Sequence, residues 1–104
     1  MAANIELALK VIEAVEKLTG EKLPREIAYA HLISKGEIFI RFRRPKHFDS
    51  GEIIYYYGTI LFRDDGEDTI TALHVLDYEK VLEEAQKPNP KPFTGLIKIW
   101  PPEE

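Results

Sequence analysis

The chain has no cysteine, and its only methionine is Met1. Without cysteine, these 104 residues can form no disulfide, no thiolate zinc site and no thiol nucleophile. No apolar run approaches the ~20 residues that a membrane-spanning helix needs. The beginning of the sequence also lacks the basic segment, apolar run and small-residue cleavage site of a signal peptide. We therefore expect a cytoplasmic protein.

Uncharged polar side chains are also scarce. Gln86 is the single glutamine, Asn4 and Asn89 are the only asparagines, and Ser34 and Ser50 are the only serines. Charged residues make up 31% of the chain instead. Few heat-labile amides and many ionic side chains favour a thermophilic source. The alternative is a short sequence of biased composition from a mesophile.

The length is that of one domain, residues 1–104, with a modest single core. The net charge of −4 is distributed unevenly. Counted along the sequence, residues 1–34 carry −1, residues 35–48 carry +4 and residues 49–104 carry −7. The basic segment of such a chain can contact its own acidic residues, an acidic partner or, locally, a nucleic acid.

Apolar residues at helical spacing predict a helix over residues 4–19, with Asn4 as its N-cap and Gly20 as its stop. Alternating or continuous apolar runs then predict strands over residues 27–33, 37–43, 52–63 and 68–76. Gly58 interrupts the third run, and we interpret it as a bulge or bend within one strand.

Several signals complete the fold. Asp64-Asp65-Gly66 predicts a hairpin turn, and Asp77 predicts the cap of a short helix that ends at Gln86. Three prolines stiffen residues 88–92, and residues 94–100 predict a C-terminal strand. We expect an α+β fold, in which an antiparallel sheet of four to five strands packs against the N-terminal helix. The other side of the sheet is then left for the short helix, a second copy or a different protein.

Three stretches, GEIFIRF at 36–42, ILFRDDG at 60–66 and ITALHVLD at 70–77, resemble a small prokaryotic domain family of unassigned function. Its members have a strand L-Y-I-R-F, then D-x-D-G and I-x-G-I-E-I-L-D ahead of a short helix. This chain differs in its long leading helix, in Ala72 for the usual glycine and in His74 for the usual acid. Some members lie beside toxin-like genes, so the resemblance implies an antitoxin-like role. It implies no functional residue.

A cluster at the end of the second predicted strand is the first candidate site. An aromatic ring beside several cations can stack a base and neutralise phosphates, or can meet an acidic protein partner. The alternative is that these cations pair with the acidic surplus of residues 64–84, in exposed ion pairs worth only ~0–1 kcal/mol each. The cluster comprises Phe39, Arg41, Arg43, Arg44 and Lys46.

The consecutive tyrosines 55–57 are the second candidate. Tyrosine combines a large apolar body with a polar tip, which suits interfaces, and residues two apart in a strand share a face. A terminal strand on a proline-stiffened arm can add to the edge of a sheet, its own or a neighbour's. We therefore expect a homodimer whose interface includes Tyr55, Tyr57, Ile97, Ile99 and Trp100.

Catalysis is the less favoured interpretation. The sequence has no nucleophile elbow, phosphate-binding loop, dinucleotide fingerprint or zinc-protease helix. His47 and Asp49 could supply two metal ligands, but no third ligand lies at a recognisable spacing. We expect no cofactor and no metal, and a non-catalytic interaction module, with nucleic-acid binding as the alternative. A small enzyme whose acid–base or metal site is spread over distant residues would escape such motifs.

Overall fold

A computed structural model describes residues 2–93 and 97–98. Six antiparallel strands form one sheet in the order β1-β2-β5-β4-β3-β6, and two helices accompany it. The elements in chain order are α1 (Ala2–Thr19), β1 (Tyr29–Ser34), β2 (Glu37–Arg41), β3 (Asp49–Tyr55), β4 (Thr59–Asp64), β5 (Ile70–Val75), α2 (Tyr78–Ala85) and the two-residue β6 (Ile97–Lys98). The predicted α+β architecture is confirmed.

The first helix begins earlier than its predicted cap. Asn4 lies inside α1, and its side-chain Nδ2 donates to the carbonyl of Ala30 at 3.4 Å, so the capping prediction is wrong. The stop is confirmed, because Gly20 has φ +80° and its N–H donates to the Glu16 carbonyl at 2.8 Å. Within the described residues, neither helix is long and apolar enough to cross a membrane.

The third predicted strand is in fact two strands. Residues 52–63 fold back on themselves, and β3 pairs with β4 in antiparallel register, with Tyr55 opposite Thr59. Residues 56–58 connect the two strands, and Tyr57 and Gly58 have φ +68° and +66°, the left-handed region that favours glycine. The interpretation of Gly58 as a bulge or bend within one strand is therefore wrong; tyrosine rarely adopts positive φ, so the residues before Gly58 carry no turn signal in the sequence.

Smaller differences concern strand ends. The first strand starts at Tyr29 rather than residue 27, β2 ends at Arg41 rather than residue 43, and β5 covers Ile70–Val75 within the predicted 68–76. The predicted cap of α2 is confirmed, since the Asp77 side chain accepts from the Lys80 N–H at 3.3 Å. Of the predicted strand over residues 94–100, the structure describes Ile97 and Lys98, which pair with β3 of the same chain.

Both helices pack on the same face of the sheet. The core joins apolar residues of α1 and α2 to every second residue of the strands. The fully buried members include Val11, Ile12, Val81, Ile38, Ile40, Leu61, Leu73 and Val75. Because the two helices share one layer, residues 2–93 place no helix on the opposite face.

Gly58 is a position where only glycine fits. A Cβ there would lie 2.6–2.7 Å from the Cβ, Cγ and Cδ1 atoms of Leu76, and the backbone has positive φ. We predict that Gly58→Ala lowers the free energy of unfolding by about 2–4 kcal/mol, from ~1–2 kcal/mol of left-handed strain plus overpacking. Chemical denaturation measures this loss.

Gly20→Ala is the matched control, because Gly20 also has positive φ but a Cβ there would meet no atom within 4 Å. It should lose only the strain, about 1–2 kcal/mol. Equal losses in the two variants would contradict the close approach of Leu76.

Candidate interaction surface

The sheet face opposite the helices is assembled from two rows of cross-strand neighbours. Residues directly opposite each other in a ladder share a face, so the strand registers give the membership of each row. The first row runs from β1 to β3 through His31, Phe39, His74, Ile60 and Ile53. The second runs through Tyr29, Arg41, Ala72, Phe62 and Gly51. We call this surface the open face.

The centre of the open face is aromatic and aliphatic. The Phe39 ring contacts the rings of Tyr29, Phe62 and His74, with centroid distances of 6.4, 6.3 and 5.6 Å. These side chains shield one another, which leaves Phe39 and Phe62 half-buried. At the β1 end, Tyr29 is 46% exposed and Ile33 is 54% exposed, and both line a shallow groove with Phe39 and His31. The exposed apolar surface of the open face is therefore greatest at its β1 end.

The charged groups on the open face are paired within the chain. His74 Nε2 lies 2.7 Å from a Glu37 carboxylate oxygen, and this hydrogen bond, with a second from Ser34, lowers the pKa of Glu37. Arg41 Nη1 lies 2.9 Å from Asp49 Oδ2, and its guanidinium carbon lies 5.2 Å from the Phe39 ring centroid. Each of these charged groups therefore has a hydrogen-bonding partner within the chain.

The predicted basic cluster is divided between two surfaces. Phe39 and Arg41 belong to the open face, whereas the other three cations lie in the loop between β2 and β3. Lys46 Nζ lies 3.3 Å from a Glu67 carboxylate oxygen. This is an ion pair with the acidic residues of segment 64–84, as the alternative interpretation predicts. Arg43 and Arg44 are exposed and have no ion pair among the described residues.

The tyrosines lie in a different place from the predicted one. Tyr55 is 1% exposed and is covered by its own chain: its hydroxyl donates to the Lys91 carbonyl, and its ring contacts Phe93 at 6.3 Å. Burial raises the pKa of Tyr55 to about 12. Tyr56 donates to the Pro92 carbonyl at 3.0 Å. Because the chain's own proline segment occupies these rings, Tyr55 is not available for the predicted interface.

A buried carboxylate completes this attachment of the proline segment. Glu84 of α2 is 4% exposed and accepts from the Lys91 N–H at 2.8 Å and from Lys87 Nζ at 3.0 Å. These two donors lower the pKa of Glu84. The Tyr57 hydroxyl lies 3.4 Å from the same carboxylate, and Tyr57 packs at the edge of the core. The predicted interface residues Ile99 and Trp100 and the Ile97 side chain lie outside the described part.

Asp64 organises the loop between β2 and β3, and sequence reasoning missed it. The residue is 2% exposed, and its carboxylate accepts from the backbone N–H groups of Lys46 (2.7 Å), His47 (3.4 Å) and Gly66 (2.8 Å). His47 Nδ1 lies 2.9 Å from Asp64 Oδ1. Burial opposes ionisation of this carboxyl, but the N–H donors outweigh it and hold its pKa well below the usual range. In the sequence, Asp64 had only the signature of a turn residue.

The structure separates the two metal ligands considered from sequence. His47 contacts Asp64, whereas Asp49 contacts Arg41 and the Thr71 hydroxyl at 3.2 Å. In the described residues, no three histidine or acidic side chains converge as a metal site requires.

Comparisons with known proteins give no further guide to the site. Neither a protein-family model, nor a curated protein, nor a solved structure matches the chain.

Asp64 makes the stability depend on pH in a defined direction. Because its folded pKa is depressed, its contribution is complete above the unfolded pKa of ~3.9 and is lost as the pH falls below that value. We predict that Asp64→Asn lowers the denaturation midpoint at pH 7, since an amide replaces one of two oxygens that accept from N–H donors. The difference from the unmodified protein should shrink when both are measured at pH 3.

The neighbouring Asp65→Asn variant is the control, because Asp65 is exposed and, among the described residues, its carboxylate accepts a single hydrogen bond, from the Ser50 hydroxyl. It should change the midpoint less. A pH-independent deficit in Asp64→Asn would rule out the ionised carboxylate as the source.

Proposed function

We propose that this protein is a small, non-catalytic interaction module that self-associates by packing the open face of one copy against that of another. The observation that carries the proposal is an apolar sheet face with no helix over it within residues 2–93. Two sheets that pack face to face bury interdigitated side chains in a layer about 10 Å thick. Phe39, Phe62, Ile60 and Ile53 would form that layer, with Tyr29 and Ile33 at its margin.

The charge distribution supports a second copy as the occupant. In a twofold-symmetric (C2) interface the same patch of each copy is in contact. A charge on that patch without a partner would therefore lie close to the identical charge of the other copy. Here Glu37 is paired with His74, and Arg41 with Asp49, inside each copy. Two open faces can therefore meet without burying a charged group that lacks a partner in its own copy, which would cost several kcal/mol.

The dimensions of the open face set the size of the proposed interface. Five strands at a spacing of ~4.8 Å and about six residues at ~3.3 Å per residue give a face of roughly 24 by 20 Å. Because side chains project from the sheet, the solvent-accessible area of this face is larger than the area of that rectangle. A standard interface buries ~800 Å² on each partner.

Adjacent residues of β1 provide a sharp test. Ile33 lines the groove on the open face with Phe39, whereas Leu32 lies opposite Ile38 on the helix side and is 44% exposed. We predict that Ile33→Glu weakens dimerisation at least ~100-fold, because the dimer would bury an unpaired carboxylate, and that Leu32→Glu has little effect. Light scattering coupled to size exclusion measures the mass.

The unmodified protein should give twice the 12.0 kDa chain mass at ~10 µM, and Ile33→Glu should give the single-chain mass. Thermal melting of both variants verifies that each is folded. A strict monomer for the unmodified protein, or equal weakening by both substitutions, would contradict association through the open face.

Nucleic-acid binding is the second candidate, and an exposed ring favours it. Phe48 is 78% exposed in the same loop as Arg43 and Arg44, which have no ion pair among the described residues. An exposed ring beside cations can stack an unpaired base.

This candidate predicts that a labelled single-stranded oligonucleotide binds at low salt, that affinity falls steeply as salt rises, and that Phe48→Ala weakens binding by ~1–3 kcal/mol. Fluorescence anisotropy is the measurement. A flat titration at low salt would eliminate this function.

A further inference from the structure

A cleft at the end of the sheet near Gly20 brings together cations from three separate segments. Lys22 comes from the connection between α1 and β1, Arg43 from the loop after β2, and Arg63 from β4. The cleft has a volume of about 770 Å³, which lies in the range of small-molecule sites. It is separate from the open face, because none of its lining residues belongs to the two rows that define that surface.

The cleft is lined by both apolar and charged side chains. Leu23 and Phe42 are 6% and 7% exposed and provide an apolar base together with the half-buried Ile70. The cations stand around this base. A small organic molecule with an apolar body and an acidic group matches such a lining, since most ligand sites combine an apolar surface with a few polar groups that fix orientation.

Within the described part of the chain, two cations of the cleft are not paired with a carboxylate. Lys22 and Arg43 have no ion pair among the described residues, and Arg63 makes a single contact with Glu21 at 3.2 Å. Glu26 and Asp68 also line the cleft, so Lys22 and Arg43, the two cations without an ion pair in the described residues, are equalled in number by two carboxylates. Arg43 offers five N–H donors, a number and geometry suited to phosphate or carboxylate oxygens.

We propose that this cleft binds a small organic anion, a phosphate or carboxylate group carried on an apolar or aromatic body. Arg43 and Lys22 contact the anionic group, and the body lies against Leu23, Phe42 and Ile70. Asp68 opposes binding through like charge, so affinity depends on the balance between the cations and this carboxylate.

Adjacent arginines allow a matched test by isothermal titration calorimetry. Arg43 lines the cleft, whereas Arg44 lines a different groove with Tyr29 and Arg41. Two probes, adenosine monophosphate and benzoate, combine an anionic group with a ring. Two further probes, inorganic phosphate and adenosine, are the separate parts of adenosine monophosphate. At least one of the first two should bind more tightly than either part alone, and which one binds distinguishes phosphate from carboxylate recognition.

For the probe that binds, Arg43→Ala should weaken affinity by about tenfold or more through the loss of a charge-assisted hydrogen bond, and Arg44→Ala by less than about twofold. Asp68→Asn should tighten binding, and raised salt should weaken it. A general loss of folding would weaken binding in both variants. It therefore cannot explain weaker binding by Arg43→Ala together with tighter binding by Asp68→Asn. The proposal is overturned by absence of binding for both ring-bearing anions at about 10 mM, by equal effects of the two arginines, or by phosphate binding as tightly as the ring-bearing anions.

Discussion

The placement of both helices on one face of a single sheet is the constraint from which the other features follow. The core is built between α1, α2 and the inward residues of β2, β3, β4 and β5. The strands nevertheless carry apolar residues on both sides, as Ile38 and Ile40 do on one face of β2 and Phe39 on the other. Within the described residues no helix covers the second apolar face, and the proposed self-association rests on this observation.

Buried carboxylates hold the irregular segments against this sheet. Asp64 fixes the loop between β2 and β3 through backbone N–H groups, and Glu84 fixes the proline segment through Lys91. In both cases several hydrogen-bond donors contact a nearly fully buried carboxylate, so its burial costs little free energy. Each attached segment is thereby held in one conformation. Within the described residues these attachments keep the proline segment away from the open face, because it lies against Tyr55 and Tyr56 at the turn between β3 and β4.

Local patterns could predict much of this fold. Helical spacing located α1, and alternation in β2 correctly placed Phe39 and Arg41 on one face. Turn chemistry located the hairpin after Asp64 and the cap at Asp77. These signals depend on neighbours in sequence, which is why they could be interpreted without the fold.

The missed features depend on contacts between distant segments. The Tyr57-Gly58 turn needs Leu76 over Gly58 and Glu84 near the Tyr57 hydroxyl, and neither is adjacent in sequence. The tyrosines were assigned to an interface because tyrosine combines a large apolar body with a polar tip, whereas their cover comes from contacts with residues 36 positions away in sequence. The open face itself was foreseen only as the side that one helix leaves uncovered. Its membership follows from the order β1-β2-β5-β4-β3, which brings Phe39 and Phe62 together.

The central claim is that the open face is shielded from water by a second copy in solution. Methyl NMR with a soluble paramagnetic gadolinium chelate tests it directly, at protein concentrations above and below the dimer dissociation constant. The Ile53 and Ile60 methyls should be protected from relaxation at high concentration and become relaxed on dilution, whereas the Leu32 and Leu76 methyls should be relaxed at both. Relaxation of Ile53 and Ile60 that is strong at every concentration would contradict the account.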